Sequence, residues 1–366
     1  MRIAQVAPLY ESVPPALYGG TERIVSYLTE ELVNLGHDVT LFASADSQTR
    51  AKLVSPCPCA LWHDHSCHET LPHQIHQMEQ IFEDVSRFDI IHFHCDYLHF
   101  PFLRRHHCPS VTTLHGQVNP SDVNVLFAEY SELPLVSVSQ SQRRPIPWAN
   151  WRATVYHGLP RDALWPGTGS GDYLAFLGRI SPQKRLDRAI VIAREAGLKL
   201  RVAAKIYPEE RDYFLEKIAP MLRESSATVE FIGEIGGAEK QRFLGDARAL
   251  IFPIDWSEPF GLVMIEAMAC GTPVIAWRNG AVPEIVQDGV TGFVVENIEQ
   301  AVQAVGRVGS LSRRTCREVF DERFDAVQMA RNYLNVYRGL VDDRQRLALA
   351  PAGLPPAFTE VVSHAT

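Results

Sequence analysis

No stretch of this sequence stays apolar for the roughly 18 residues that a membrane-spanning helix requires. A transmembrane protein is therefore not expected. Positive charge is also in short supply: 35 Lys and Arg stand against 43 Asp and Glu, a formal net charge of -8 at pH 7. That balance gives no electrostatic reason to coat nucleic acid, whose binding proteins show a basic patch or stripe, so no nucleic-acid partner is expected. Cysteines number only 7 in 366 residues, and an odd, scattered set does not make a full disulfide framework. The N-terminal Met1 to Pro8 reads as a short strand and a breaker rather than a leader, so a reducing cytoplasm is the expected compartment.

What is present is an ordinary soluble composition, 46% hydrophobic, in a chain longer than one core usually organises. Short β-branched or apolar runs recur with helical stretches between them, at Ile3 to Ala7, Val39 to Ala43, Ile90 to His94, Val111 to Leu114, Leu135 to Ser139 and Ala153 to Tyr156. That alternation predicts an α/β fold with a parallel sheet. Pro160 to Asp172 is the most linker-like segment, and a second series of strands starts at Tyr173 and continues to Gly292 to Val295. The expected organisation is therefore a first domain over 1–163 and a second over 164–320. A final helix is expected over 321–341, with Met329, Tyr333, Val336, Tyr337 and Leu340 on one face, then a loosely held tail over 342–366.

The densest chemical signal is the run from Ser257 to Ala276, where a strand ends, the chain turns at Pro259 and Gly261, and a short helix follows. In an α/β sheet such a junction lies at the carboxyl edge, where ligands bind, and the free N–H groups of Gly261 and Leu262 at the helix start can receive phosphate oxygens. Glu258 sits in the loop and Glu266 about two turns along the helix, so two carboxylates can face one cleft at different depths. Carboxylates accept paired hydrogen bonds from neighbouring hydroxyls, as on a ribose or a hexose. Positive charge for a diphosphate comes from Gly178-Arg179-Ile180-Ser181-Pro182-Gln183-Lys184, directly after a strand. Arg179 suits bidentate phosphate contact and Lys184 acts as a point charge. On the opposite wall, Gly19-Gly20-Thr21-Glu22 opens a helix, and glycine at a helix N-terminus lets backbone approach an anion.

These residues resemble the donor site of the large family 4 of retaining glycosyltransferases. The resemblance is carried by Glu258 and Glu266 within Pro-Phe-Gly-Leu and Glu-Ala-Met-Ala-Cys-Gly-Thr-Pro, with Gly280 to Val286 and Asp288 to Val295 trailing. It implies a GT-B fold, two Rossmann-like doubly wound domains facing a central cleft, with acceptor held mainly by the first domain and donor by the second. It further implies that Glu266 binds ribose hydroxyls, that Glu258 binds hydroxyls of the transferred sugar, and that Phe260, Gly261 and Leu262 meet that sugar and the phosphates. Arg179 and Lys184 then stabilise the leaving diphosphate beside Gly178, with Gly19 and Gly20 closing on it. His115, at the end of a predicted central strand, matches a histidine that contacts the transferred sugar. The expected catalytic set is therefore His115, Arg179, Lys184 and Glu258. Glu22, Asp96 and Tyr97 are the expected acceptor-side residues.

The reaction implied is transfer of a hexose-type sugar from a nucleotide diphosphate sugar, a uridine diphosphate sugar being the commonest family choice, to a carbohydrate or small-molecule hydroxyl. No cofactor and no metal are expected. The cluster Cys57, Cys59, His63, His65, Cys67 and His68 has none of the usual paired-ligand spacings of a zinc site. Two departures from the family pattern stand out, His157 before Gly158 and Lys205 at a strand end. Residues 1–160 carry 10 Lys and Arg against 16 Asp and Glu, so strong membrane binding is not expected either. Alternatives are an epimerase or hydrolase of nucleotide sugars on the same fold, or a noncatalytic nucleotide-sugar-binding protein; the oligomeric state is left open.

Overall fold

The computed structural model describes the chain from Met1 to Leu349 apart from Tyr18 and His107, with side chains through Arg346. Two parallel sheets organise it. The first holds β1 (Arg2–Val6), β2 (Asp38–Phe42), β3 (Lys52–Val54), β4 (Ile90–Phe93), β5 (Ser110–Thr113), β6 (Leu135–Ser137) and β7 (Trp151–Thr154), in the order β3-β2-β1-β4-β5-β6-β7. The second holds β8 (Tyr173–Arg179), β9 (Lys199–Lys205), β10 (Val229–Gly233), β11 (Ala249–Phe252), β12 (Val274–Trp277) and β13 (Gly292–Val295), in the order β10-β9-β8-β11-β12-β13. Strands such as Ile90–Phe93 and Ala249–Phe252 are buried along their whole length, as parallel strands covered by helices on both faces must be. Strand order reverses between β1 and β4 and again between β8 and β11. Those are the switch points at which crevices open beyond the carboxyl ends of an open α/β sheet.

The sequence does not reveal β3, an edge strand of three residues too short to show a period. The glycine-rich segment after Pro160 is also tighter than its composition suggests. The N–H groups of Gly167, Gly169 and Gly171 donate to the carbonyls of Cys270, Gly245 and Asp246, stapling the segment to the second domain. The return crossing is built beside it: Leu159 N–H donates to Phe324 O at 2.9 Å, and Ala326 N–H to Leu159 O at 3.0 Å.

The last helix differs from its expected bounds. Residues 321–323 close the preceding helix, Arg313–Arg323, and the final helix runs Ala326–Leu349 rather than stopping at 341. Apolar periodicity ends at Leu340, but the residues beyond it are mostly good helix formers, and propensity needs no buried face to extend a helix already anchored. Asp343 is tied to Arg152 of β7 at 2.5 Å. Residues 350–366 of the expected tail lie outside the described residues. The anchored part carries the first domain's covering layer: Met329, Tyr333, Tyr337 and Leu340 are buried, and the helix packs along Gly20–Asn34.

Candidate active site

A cleft of about 500 Å³ opens between the carboxyl edges of the two sheets. Two helix N-termini face each other across it, Gly20–Asn34 from the first domain and Leu262–Ala269 from the second. The Leu262 side chain lies against Gly20, leaving only van der Waals room where a Cβ would stand. Gly261 caps the second helix with φ 85°, a left-handed conformation that favours glycine and turns the first free N–H groups toward the opening.

Two of the cleft's carboxylates, Glu258 and Glu266, are each held by a lysine. Glu258, nearly buried, accepts from the Lys184 ammonium and from Trp256 Nε1 at 3.0 Å, while Lys184 also lies over the rings of Phe252 and Trp256. Its loop is fixed from behind by Gly280, whose φ of 55° and close approach to the Glu258 backbone leave no room for a side chain. Ala281 N–H then donates to Glu258 O at 2.9 Å. Deeper in the cleft, Lys240 Nζ lies 2.5 Å from Glu266 Oε1. Burial alone raises a carboxyl, yet the charge and hydrogen bond of Lys240, with Arg23 nearby, hold Glu266 below its ordinary range. It therefore stays ionised and accepting at neutral pH.

Arg179 is a third exposed and pairs with Glu210 at 3.5 Å, its other contact being Gln183 at 3.2 Å. Lys205, at the end of β9, stands 3.9 Å from Glu234. With Arg23, Lys184 and Lys240, these give the cleft a local supply of cations that the chain's net negative charge conceals.

On the first-domain wall, His115 Nε2 meets His94 Nδ1 at 2.8 Å, and its ring stacks on His157 with centroids 5.2 Å apart. His157 in turn meets the edge of Phe260 at 4.8 Å, joining the two domains. Burial drives His92, His94 and His157 well below the ordinary histidine range, and His115 to about 3, so all four are neutral at pH 7. Glu22 is buried, and desolvation with the nearby charge of Glu11 pushes its carboxyl up to about 7. At the mouth, Trp62 is half-exposed, packs on Tyr10 at 5.2 Å and reaches Tyr207 of the second domain at 6.2 Å.

Of the residues singled out from the sequence, His115, Arg179, Lys184, Glu258, Gly19, Gly20, Gly178, Phe260, Gly261, Leu262, Glu266, Glu22 and Asp96 all line this one cleft. Tyr97 does not. The chain turns at Asp96, whose backbone is left-handed with φ 50°, and Tyr97 stands exposed outside the lining at the start of the next helical turn. Lys240, Arg23 and Trp62 are cleft residues that sequence reading did not find. Lys240 lies in a helix with no motif around it, and only the tertiary fold brings it to Glu266. The Cys57 to His68 cluster stays apart from the cleft: His63 is engaged by Glu11 at 2.7 Å, and among the described residues no three His, Cys, Asp or Glu side chains are grouped to hold a metal ion.

Residues 168–317 match the profile of the family described as glycosyl transferases group 1, and residues 18–160 match that of glycosyltransferase family 4. Together the two cover the second sheet, the first sheet except β1, and most of the residues that line the cleft. The chain belongs to this glycosyltransferase family. Its GT-B fold is shared with AviGT4, a glycosyltransferase involved in avilamycin A biosynthesis, at a TM-score of 0.72 and 24% identity, over 93% of this chain and 98% of that one. HepE from Anabaena, solved with UDP and glucose, superposes at a TM-score of 0.74 with 16% identity, over 93% of this chain and all of that one. In sequence, the D-inositol 3-phosphate glycosyltransferase of Streptomyces griseus is 35% identical over 167 residues, 41% of this chain but only 32% of that protein's length. Among the described residues, no helix of this family member is long and apolar enough to cross a membrane.

Proposed function

We propose that this protein transfers a hexose-type sugar from a nucleotide diphosphate sugar, foremost a uridine diphosphate sugar, to a hydroxyl of a carbohydrate or small-molecule acceptor. The observation that carries the reading is the cleft itself. One opening brings together two buried carboxylates suited to paired hydroxyls, Glu258 and Glu266, with Arg179, Lys184 and two facing helix N-termini suited to a diphosphate. Glu266 takes the ribose, Glu258 the transferred sugar, and the cations the leaving group. That UDP and glucose occupy the like-folded HepE agrees with this choice of donor.

Bond cleavage concentrates negative charge on the diphosphate, and donors fixed in place beforehand stabilise that charge most effectively. In the proposed step the bond from the anomeric carbon to the diphosphate oxygen breaks, the acceptor oxygen bonds to the same face of that carbon, and the acceptor's proton passes to the departing phosphate oxygen. Configuration is retained, and Arg179, Lys184 and the helix N-termini supply the positive field without a metal. The acceptor sits toward Glu22, Asp96 and the aromatic surface of Trp62 and Tyr10, and the enzyme works in the cytoplasm without strong membrane binding. Proton NMR of the product tests the stereochemistry: an α-linked donor gives an α-linked product at a rate unaffected by a chelator. An inverted product or loss of the rate with chelator overturns this mechanism. Release of free sugar from donor alone, independent of acceptor, favours the hydrolase instead.

A further inference from the structure

Buried strand positions are normally apolar, yet β1, β4 and β5 place Gln5, His92 and Thr113 at 0% exposure beneath the last helix. Their polar atoms are joined in one chain. Starting at the cleft, His115 Nε2 meets His94 Nδ1 at 2.8 Å, and His94 Nε2 meets Gln5 Oε1 at 2.8 Å. Gln5 Nε2 donates to Tyr337 OH at 3.0 Å, Tyr337 OH meets His92 Nδ1 at 2.6 Å, and His92 Nε2 meets Thr113 Oγ1 at 2.7 Å. Thr113 Oγ1 ends at Tyr333 OH, 3.0 Å away.

The chain has a direction, because a neutral imidazole donates from one nitrogen and accepts at the other. Gln5 presents its carbonyl oxygen to His94, so His94 carries its proton on Nε2 and must accept at Nδ1. His115 is then the donor in the His94–His115 bond and carries its proton on Nε2. Its Nδ1 is left as a bare acceptor, shielded from solvent and without a partner in the protein. The same direction carries on to the other end, where Tyr337, having accepted from Gln5, donates to His92 Nδ1. An orphaned acceptor is the milder of the two vacancies that His115 Nδ1 can hold, since a buried N–H without a partner is the rarer defect.

We infer that Gln5, His92, His94 and Tyr337 form a positioning relay that fixes the tautomer of His115, keeping Nδ1, closed off from water in this structure, as the acceptor that a hydroxyl of the sugar reaches when the cleft walls shift around the donor, with Tyr337 as the tie to the last helix. The inference rests on the proposed sugar transfer for the identity of that hydroxyl, but the tautomer is independent of it. Tyr337 belongs to the helix that follows the donor domain and returns to the acceptor domain. The proton position in the cleft is thus completed only when that helix is docked.

The test is long-range ¹H–¹⁵N NMR of histidine-labelled full-length protein at neutral pH, read beside steady-state kinetics and UDP affinity. The wild-type spectrum, which needs no variant, shows His115 protonated on Nε2. Tyr337→Phe removes the hydrogen-bond acceptor of the Gln5 amide and frees it to turn. His115 then becomes a mixture of tautomers or gains a proton on Nδ1, and turnover falls about tenfold or more while UDP affinity stays within about twofold. Gln5→Glu keeps an accepting oxygen toward His94 and preserves the wild-type tautomer. A wild-type proton on Nδ1, an unchanged tautomer in Tyr337→Phe, or a flipped one in Gln5→Glu overturns the relay. Absence of sugar transfer with the expected spectra overturns the proposed function and leaves the relay standing.

Discussion

Lys240 holds its ammonium 2.5 Å from Oε1 of Glu266, and both side chains are almost wholly withdrawn from water. A buried pair of this kind is costly to break and inexpensive to replace as a unit. Glu266→Ala is expected to weaken UDP binding by about 1.5 to 3 kcal/mol, the range for hydrogen bonds to a charged group, because the ribose hydroxyls lose their acceptor. Lys240→Ala leaves the carboxylate uncompensated and lowers stability by about 3 to 5 kcal/mol. Replacing both by methionine returns stability to near wild type without restoring UDP affinity. Calorimetry and denaturant titration on the three variants separate the two effects; unchanged UDP affinity in Glu266→Ala removes that residue from the donor site.

Arg179 and Lys184 pair with Glu210 and Glu258, and a diphosphate gives both a stronger anion to meet. Their alanine variants are expected to lose at least about tenfold in turnover, or roughly 1.4 kcal/mol in the barrier, and Lys184→Ala also loses stability, because it leaves the buried Glu258 carboxylate without its ion pair. A single-turnover assay checks it. Wild-type rates in either variant exclude that side chain from leaving-group stabilisation.

The trailing element of the donor motif turns out to serve the other domain. Glu284 accepts from the N–H groups of Gln140 and Ser141 at 2.7 Å each, and from Tyr156 OH at 3.1 Å, spanning the two domains. Glu284→Ala is expected to cost about 1.5 to 3 kcal/mol in unfolding free energy, since charge-assisted bonds to the backbone are lost. Guanidinium titration measures it, and a shift below about 0.5 kcal/mol contradicts a bridging role.

Acid should destabilise this protein earlier than carboxylate titration alone explains. His92, His94, His99 and His157 are driven well below the ordinary range by burial, and His115 to about 3. With folded values depressed, their contribution is complete above the unfolded value near 6.5 and is lost as pH falls toward the folded values, at about 1.4 kcal/mol per pH unit for each. Glu22, raised from 4.5 to about 7, acts in the opposite sense: its stabilisation is complete below 4.5 and disappears as pH rises through about 7. Asp96 and Glu210, also raised by burial, act in the same sense as Glu22, but three such groups do not offset the five histidines, so the guanidinium midpoint is expected to drop steadily from pH 6.5 to 5. A midpoint that holds or rises over that interval contradicts the buried neutral histidines.

The architecture was legible because parallel strands and their helices are local patterns, and because Glu258, Glu266, Arg179 and Lys184 sit at strand ends that topology carries to a single edge. Lys240 was not legible, since its partner is 26 residues away on another helix. Nor was the relay: Gln5 and Tyr337 are separated by 332 positions, and a lone glutamine in a strand carries no sign of what lies above it. Tyr97 was misplaced because a single left-handed residue, Asp96, redirects the chain.

The central claim is that this cleft moves a sugar from a nucleotide diphosphate to an acceptor hydroxyl. Its most direct test is mass spectrometry of reactions that cross a panel of isotopically labelled nucleotide sugars with acceptor extracts. The expected result is a labelled glycoside, formed with matching release of nucleoside diphosphate, only when donor and acceptor are both present, and lost in Arg179→Ala. Binding of the donors with no glycoside from any combination, or nucleotide release that never depends on acceptor, contradicts it.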